Sequence, residues 1–533
     1  MFTPGSRCLR AAVTAAAGVL LTASLGACAP DDSRADSSVP AVLSPFYGQE
    51  LRWEPCGTEE CAELEVPMDY TDPDDGRTFV LPLIRVPATD PDRRIGSLVF
   101  NPGGPGESGV GLLQDGGVTA FSDRLRKRFD IVGFDPRGVG GSDPAVDCGP
   151  EDGAREAEGG DDLPPQPLHP VTARQRQTAL AEAESVLAAC EKHSGAILRH
   201  VGTADAARDM DVLRAALGDD RLSYLGWSYG TSLGTAYGEL FPRRVRAMVL
   251  DGAIDPSLDW SQRARSQAKG FREAVDDYAE HCAEVAGEAC PADSPAGIRE
   301  LLDKLYTKTA EEPLPVDDSE WGLDAVTLHS AVTASMYTPE EQWEPLSVAL
   351  ADADGGDGTR LAAIASGEDG TEEETGEADA AETDSGAGDE AQDDGPPDNS
   401  DVALTAVNCA DIPHPGDPEQ YWKALDRAHR ADGDFGSDSV VAALGCKGWP
   451  QTGAGPHKVR AEGLPPVLVV GTTGDPSTPY HEAQALARQL PGGMLLTYEG
   501  FGHTAYGRGG ACVDDAVDDY LIGLRPVEPG ASC

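Results

Sequence analysis

Three residues far apart in the chain, Ser228, Asp475 and His503, have the types and surroundings that nucleophilic catalysis needs. A serine hydroxyl is a weak nucleophile until a base takes its proton. The base in turn needs an acid that fixes its tautomer and stabilises its charged form. Ser228 is the centre of Gly226-Trp-Ser-Tyr-Gly230, which fits G-x-S-x-G. Leu222 to Leu225 reads as a buried strand, and Thr231 to Leu240 reads as a helix. Between a strand and a helix, this pattern places the serine on a sharp, strained turn that projects its hydroxyl above a sheet. Glycines must flank it, because a β-carbon at Gly226 or Gly230 would collide with the turn. A chance match is the bland alternative, and the elements on both sides argue against it.

The base and the acid have comparable settings. The strand Val467 to Val470 opens into the loop Gly471 to Pro479, which carries Asp475. A last strand, Gly493 to Tyr498, opens into Glu499-Gly-Phe-Gly-His503. Both residues therefore fall where strands end, on the rim expected to carry Ser228. Asp475 also fits the cap of the helix after it. His481 is the rival base, although it lies within that helix, and Asp251, after the strand Val245 to Leu250, is the rival acid. The N–H of Tyr229 is one expected oxyanion donor. A second comes from Asn101-Pro-Gly-Gly-Pro-Gly106, with Gly104 nominated and Gly103 the alternative.

The elements that must position these groups alternate. Ala62 to Val66 and Thr78 to Val86 read as opening antiparallel strands, followed by strands Ser97 to Phe100 and Asp130 to Phe134. Helical periodicity runs over Thr172 to His193 and over Thr203 to Leu217, with Asp209 and Asp211 expected on the polar side. Strands alternating with helices argue a mostly parallel sheet flanked by helices. After Pro256 the pattern turns helical: Trp260 to Cys282, Ile298 to Leu305, Leu323 to Tyr337 and Glu341 to Leu350. This reads as a helical cap inserted over residues 257–463, between catalytic-domain segments 46–256 and 464–533. From Ala351 to Ser400 there are 17 acidic residues against Arg360 alone, a composition expected to stay disordered.

Composition bounds partners and address. The 533 residues carry a formal charge of −51, which excludes nucleic acid as a partner because phosphate would be repelled. Arg7 and Arg10 precede the apolar run Ala11 to Leu25, so residues 1–28 read as a signal peptide. Ala27-Cys28-Ala29 fits an ordinary cleavage site. Leu25-Gly-Ala-Cys28 fits a lipobox in which Cys28 is lipidated, and Pro30 disfavours ordinary cleavage. Residues 29–45 would then be a flexible tether, and the membrane is met only through Cys28. Ten of the 12 cysteines remain after the leader, an even number that reads as disulfides in an exported protein. Pairing neighbours in order gives five bridges. No cysteine pair has zinc-finger spacing with histidines, and neither metal nor cofactor is expected.

Taken together, Asn101-Pro-Gly-Gly-Pro-Gly106, Gly226-Trp-Ser-Tyr-Gly-Thr, Gly474-Asp-Pro-Ser-Thr-Pro and Gly502-His-Thr carry a resemblance. They resemble the actinobacterial tripeptidyl aminopeptidase-like serine hydrolases, of the proline-iminopeptidase group of α/β-hydrolases. The likeness runs from about Trp53 to the C-terminus, and the leader resembles that of lipoprotein-type members. It implies an α/β-hydrolase fold and exopeptidase action on free N-termini of peptides or proteins, with Ser228, Asp475 and His503 as the triad. A carboxylesterase or lipase using the same residues is the competing expectation, and a catalytically inactive binding lipoprotein is a third. An aminopeptidase needs a carboxylate to read the substrate ammonium. Glu107, Glu340, Glu341, Glu344 and Asp411 are the candidates, with Trp227, Tyr337 and Trp343 as aromatic walls.

Overall fold

Apolar runs that alternate between two faces build the sheet of the computed structural model, which describes residues 39–149, 167–317, 319, 322–367 and 398–533. The strands are β1 (Glu54–Cys56), β2 (Glu59–Pro67), β3 (Thr78–Val86), β4 (Gly96–Asn101), β5 (Phe129–Phe134), β6 (Leu222–Trp227), β7 (Val245–Asp251), β8 (Leu468–Gly474) and β9 (Met494–Phe501). Their order is β1-β2-β3-β5-β4-β6-β7-β8-β9. The six from β5 to β9 are parallel, and β1 to β3 join antiparallel at one side. Every residue of β4 and β5 is buried. Leu98, Phe100, Ile131, Leu225, Val249 and Val470 point to one apolar core. Val99, Tyr224, Met248, Leu250 and Val469, one position out of step, point to the other. A parallel sheet covered on both faces has this double burial. The compact unit Val42–Cys533 holds all nine of these strands.

Helices supply the two covers. They are α1 (Gly109–Gln114), α2 (Ala173–Ser194), α3 (Thr203–Ala216), α4 (Tyr229–Leu240), and then, between β7 and β8, α5 (Trp260–Val285), α6 (Pro295–Glu311), α7 (Ala325–Ala334), α8 (Pro339–Gly355), α9 (Thr359–Ser366), α10 (Ser400–Asp411) and α11 (Pro418–Leu444). After β8 come α12 (Tyr480–Gln489) and α13 (Ala511–Gly523). The helix α11 is broken at Asp432 and Gly433, where the φ angles are −132° and +62°. Helices α5 to α9 enclose their own apolar core around Tyr278, Leu305, Leu328, Trp343, Leu350 and Leu361. Among the described residues, no helix is long and apolar enough to cross a membrane.

Three expectations change here. Ala351 to Ser400 is not structureless throughout. Ala351 to Gly355 completes α8, α9 follows, and Ala353, Leu361 and Ile364 are buried in the cap core. Asn399 also reaches inward, donating to the carbonyls of Gly138 and Val146 at 3.0 and 2.8 Å. Averaging composition over fifty residues hid a few well-spaced apolar side chains; residues 368–397 lie outside the described residues. Asp209 and Asp211 are both fully buried rather than on a polar face. Asp209 pairs with the buried Arg137, and Asp211 takes Arg214, Arg244, Tyr47 and Tyr237. Finally, Ser44–Tyr47 forms a helical turn, so the expected tether ends short of residue 45. The expected leader, with Cys28, lies outside the described residues.

Candidate active site

The turn between β6 and α4 shows why its residue types are needed. Ser228 has φ +52° and ψ −121°, a conformation costly for any side-chain-bearing residue. Hydrogen bonds hold it there. Its N–H donates to the Asp251 carbonyl at 2.9 Å, and its own carbonyl accepts the Thr231 N–H at 2.9 Å and hydroxyl at 2.7 Å. A β-carbon on Gly226 would lie 2.5 Å from the Gly230 carbonyl oxygen, so only glycine fits. Tyr229 begins α4, and a first-turn N–H has no acceptor within its helix. Gly103, at φ +117°, packs against the elbow so closely that a β-carbon there would sit 2.9 Å from Cβ of Ser228. Gly104 lines the cavity beside Ser228.

Asp475 and His503 meet from adjacent strand ends. Nδ1 of His503 lies 2.9 and 3.0 Å from the two Asp475 carboxylate oxygens. The same carboxylate accepts the N–H groups of Ser477 and Thr478 at 3.0 and 2.8 Å and the Thr478 hydroxyl at 3.0 Å. Asp475 thus caps its own turn and orients the imidazole at once. The pairing keeps the ring proton on Nδ1 and leaves Nε2 as the basic nitrogen. Nε2 is buried and has no hydrogen-bond partner among the described residues. Tyr337 packs here from the cap: its carbonyl accepts the main-chain N–H of His503 at 2.8 Å, and its ring stands edge-on to the imidazole at 5.2 Å.

The rival residues serve other ends. Asp251 accepts the N–H groups of Ala505 and Tyr506 at 3.0 and 2.8 Å and makes no hydrogen bond to His503. Burial pushes its carboxyl up to about 6 against the opposing pull of those amides. His481 projects from α12, with Nε2 3.1 Å from the Ser266 hydroxyl.

Ser228 and His503 face one cavity of about 610 Å³, walled by Gly104 and Glu107 on one side and by Trp260, Arg263, Tyr337 and His414 from the cap. Of the residues expected to bind substrate, the cavity brings together Glu107 and Tyr337 and not the others. Burial, with Asp398 and Asp401 nearby, raises the Glu107 carboxyl. Trp227 points into the sheet and packs edge-on to Phe100 at 4.9 Å. Trp343 is buried in the cap core against Tyr278 and Phe501, so nearness in sequence to Tyr337 did not place it on the cavity. Glu340, Glu341 and Glu344 lie exposed on the outer face of α8, and Glu340 pairs with Arg508 at 3.0 Å. Asp411 stands behind the elbow. Its carboxylate, pushed up to about 6 by burial, accepts the Thr203 hydroxyl and N–H, and that hydroxyl lies 2.6 Å from the Tyr229 hydroxyl. Trp260, Arg263 and His414 were not anticipated, since no motif marks them and only the packing of the cap brings them to the serine.

The ten cysteines of the described chain form five bridges in sequence order: Cys56–Cys61, Cys148–Cys190, Cys282–Cys290, Cys409–Cys446 and Cys512–Cys533. Cys446 is itself part of the cavity wall.

With this geometry in view, the likeness to known proteins has a structural frame. Residues 96–361 match the α/β hydrolase fold family, and residues 432–533 match the family described as TAP-like protein. The chain is 37% identical to the serine protease Hip1 of Mycobacterium tuberculosis over 516 residues, covering 92% of each. The chain belongs to the tripeptidyl aminopeptidase-like α/β-hydrolases. As a member of that family it is a serine hydrolase of the peptidase kind. Carboxylesterase B of M. tuberculosis is also 37% identical, over 504 residues, covering 90% of this chain and 89% of that one. The tripeptidyl aminopeptidase of Streptomyces lividans is 31% identical over 513 residues, covering 91% and 86%.

Proposed function

We propose that this tripeptidyl aminopeptidase-like hydrolase is an exported exopeptidase that releases short peptides, tripeptides foremost, from free N-termini through an acyl-enzyme. The observation that carries the reading is the single cavity in which Ser228 and His503 face Glu107 under the cap. In the reaction, the Ser228 hydroxyl attacks the scissile carbonyl carbon and its proton passes to Nε2 of His503. Asp475 keeps the ring oriented and stabilises the imidazolium. The N–H groups of Tyr229 and Gly104 receive the oxyanion, each such donor being worth about 3 kcal/mol. The departing amine takes the proton from Nε2, and water then repeats the path to free Ser228.

Glu107 is the group assigned to the substrate ammonium, since it lines the cavity with Ser228 and an ammonium beside it would favour its charged form. The test compares kcat/KM for a tripeptidyl amide bearing a free amine with that for its N-acetyl twin, before and after Glu107→Gln. The free amine is expected to be favoured, and Glu107→Gln to shrink that preference. Equal rates on both peptides reject the exopeptidase reading. They would advance the second one, a carboxylesterase, which the likeness to carboxylesterase B favours.

Export is supported by the leader pattern and by the five disulfides, which persist in oxidising compartments. Lipidation of Cys28 would hold the enzyme at the outer membrane face. Mass analysis of the mature N-terminus tests this; an unmodified terminus at Pro30 overturns it.

A further inference from the structure

The cavity that holds Ser228 also carries a charged group that the reaction steps leave unused. Arg263 lies one turn into α5, three residues after Trp260, and lines the cavity together with Ser228, His503 and Glu107. Among the described residues its guanidinium has no hydrogen bond, ion pair or aromatic partner. Arg263 is half-buried, whereas the arginines buried among the described residues, Arg137 and Arg214, are saturated. Arg137 bonds both oxygens of Asp209 and the carbonyls of Pro67, Met68 and His200. Arg214 reaches Asp211 and the Asp219 carbonyl.

The acidic groups nearest Arg263 are already engaged. Glu482 accepts the Ser266 hydroxyl and the Asp255 N–H, and Asp411 accepts both donors of Thr203. Burial raises both carboxyls, and it lowers Arg263, whose charge they and Tyr229 support only from a distance. The cavity wall near the guanidinium adds no anion. His414, held down to about 4 by burial and by Arg263, is neutral there, and Asn408 is uncharged. Among the described residues, Glu107 is the one acidic side chain of the lining, and it comes from the loop after β4 rather than from the cap. The walls therefore present one carboxylate and one unpaired guanidinium from separate parts of the fold. A desolvated guanidinium gains most from a carboxylate, which it can grip with two parallel hydrogen bonds.

We propose that Arg263 binds a carboxylate carried by the substrate, so that the enzyme selects acidic peptides. The proposal rests on the cavity being the peptide site. The carboxylate is either an Asp or Glu side chain among the released residues or the free C-terminus of a short peptide. A charge-assisted pair of this kind gives a preference of about ten- to a hundredfold in kcat/KM.

Two pairs of substrates separate the sources. The first compares Ala-Ala-Ala amides with versions carrying Glu at each position in turn. The second compares a short peptide bearing a free C-terminal carboxylate with its C-terminal amide. The quantity read is the acidic-to-neutral ratio, in the wild type, in Arg263→Gln and in Arg263→Lys, with thermal melts to verify folding. The expected result is a ratio of at least about ten in one arm, near one in Arg263→Gln and intermediate in Arg263→Lys. A wild-type ratio near one in both arms overturns the proposal. So does a ratio that Arg263→Gln leaves unchanged while all rates fall together, which is the mark of a structural arginine. If no free-amine peptide is cleaved, the exopeptidase reading fails by itself. The ratio is then read on 4-nitrophenyl hemisuccinate against 4-nitrophenyl butyrate, with the same two outcomes deciding.

Discussion

Ser228 and Asp251 are joined main chain to main chain, the serine N–H donating to the aspartate carbonyl at 2.9 Å. The Asp251 carboxylate then holds the N–H groups of Ala505 and Tyr506, just past His503. One residue at the end of β7 thereby ties the Ser228 turn to the His503 loop. Between them Thr504 sits at φ +64°, a second side-chain-bearing residue in the left-handed region. Its N–H reaches Asp475 at 3.3 Å, and its carbonyl accepts the Thr472 hydroxyl at 3.0 Å. Strain at both loops is thus held by hydrogen bonds from neighbouring strand ends.

The two aspartates are expected to separate by mutation. Asp475→Asn should lower kcat by about 10⁴-fold, because the amide favours the wrong imidazole tautomer. Asp251→Asn keeps an oxygen that can accept an amide and should cost no more than about a hundredfold, with a measurable loss of thermal stability. Steady-state kinetics and melting curves on both variants check this. A reversed ranking would make Asp251 the catalytic acid.

Asp251 also gives a pH signature. Its carboxyl lies at about 6 in the folded protein, above its ordinary value of 3.8, because burial disfavours the charge. The raised pKa means that the folded state holds the proton more tightly than the unfolded chain does. The associated stability is fully present below about pH 4 and is lost as pH rises through about 6. Asp251→Asn removes this dependence. The melting temperature of the variant minus that of the wild type should therefore climb between pH 4 and pH 7, by an amount corresponding to roughly 2 kcal/mol. Asp411 and Glu482 titrate alike in both proteins and cancel in the difference. A flat difference would show that the Asp251 carboxylate is not desolvated.

The parallel strands were legible because both of their faces are buried, which leaves unbroken apolar runs such as those of β4 and β8. The pairing of Asp475 with His503, and the placing of His503 on one cavity with Ser228, were legible because each of the three stands in a loop that opens from such a run. Side chains whose role depends on long-range packing were not. Asp209 and Asp211 look like a polar helix face until Arg137, Arg214 and Arg244 are brought to them from other segments. Trp343 resembles a pocket aromatic in sequence, yet α8 turns it into the cap core. Arg263 carries no local pattern at all.

Strain at Ser228 should be measurable. Ser228→Ala should abolish turnover and keep the fold, since the new residue has the same backbone demand. Ser228→Gly should be equally inactive but more stable than Ser228→Ala by about 1 kcal/mol. Relief of a φ of +52° outweighs the extra unfolded-state entropy of glycine. Denaturant unfolding of the two variants side by side tests this, and equal midpoints would mean that the turn stores little strain.

The Cys409–Cys446 bridge fastens the end of α10 to the residues after α11 and forms part of the cavity wall. It spans 37 residues, and a loop of that size is worth about 4 kcal/mol in the chain-entropy model. Replacing both cysteines by alanine should lower stability by a sizeable part of this. KM should rise more than kcat falls, because the bridge shapes the wall and touches neither His503 nor Asp475. Unfolding curves together with kinetics read both effects, and a loss confined to kcat would contradict this division.

The last expectation concerns α9, where composition and structure disagree. Leu361 lies in a stretch rich in acidic residues and small side chains, yet it is fully buried among Leu323, Leu328 and Leu350 of the cap core. A leucine in such a site loses both its transfer free energy and its packing when truncated. Leu361→Ala should therefore destabilise by about 2–5 kcal/mol. The cap contributes Tyr337 to the His503 ring, so loosening it should also lower activity well below the melting temperature. The reference is Ala362→Ser, a neighbour that only packs against the edge of this core and should shift stability by less than about 1 kcal/mol. Equal, small effects from both substitutions would return α9 to the solvated excursion that its composition describes. A large effect from Leu361→Ala alone fixes residues 359–366 as part of the cap.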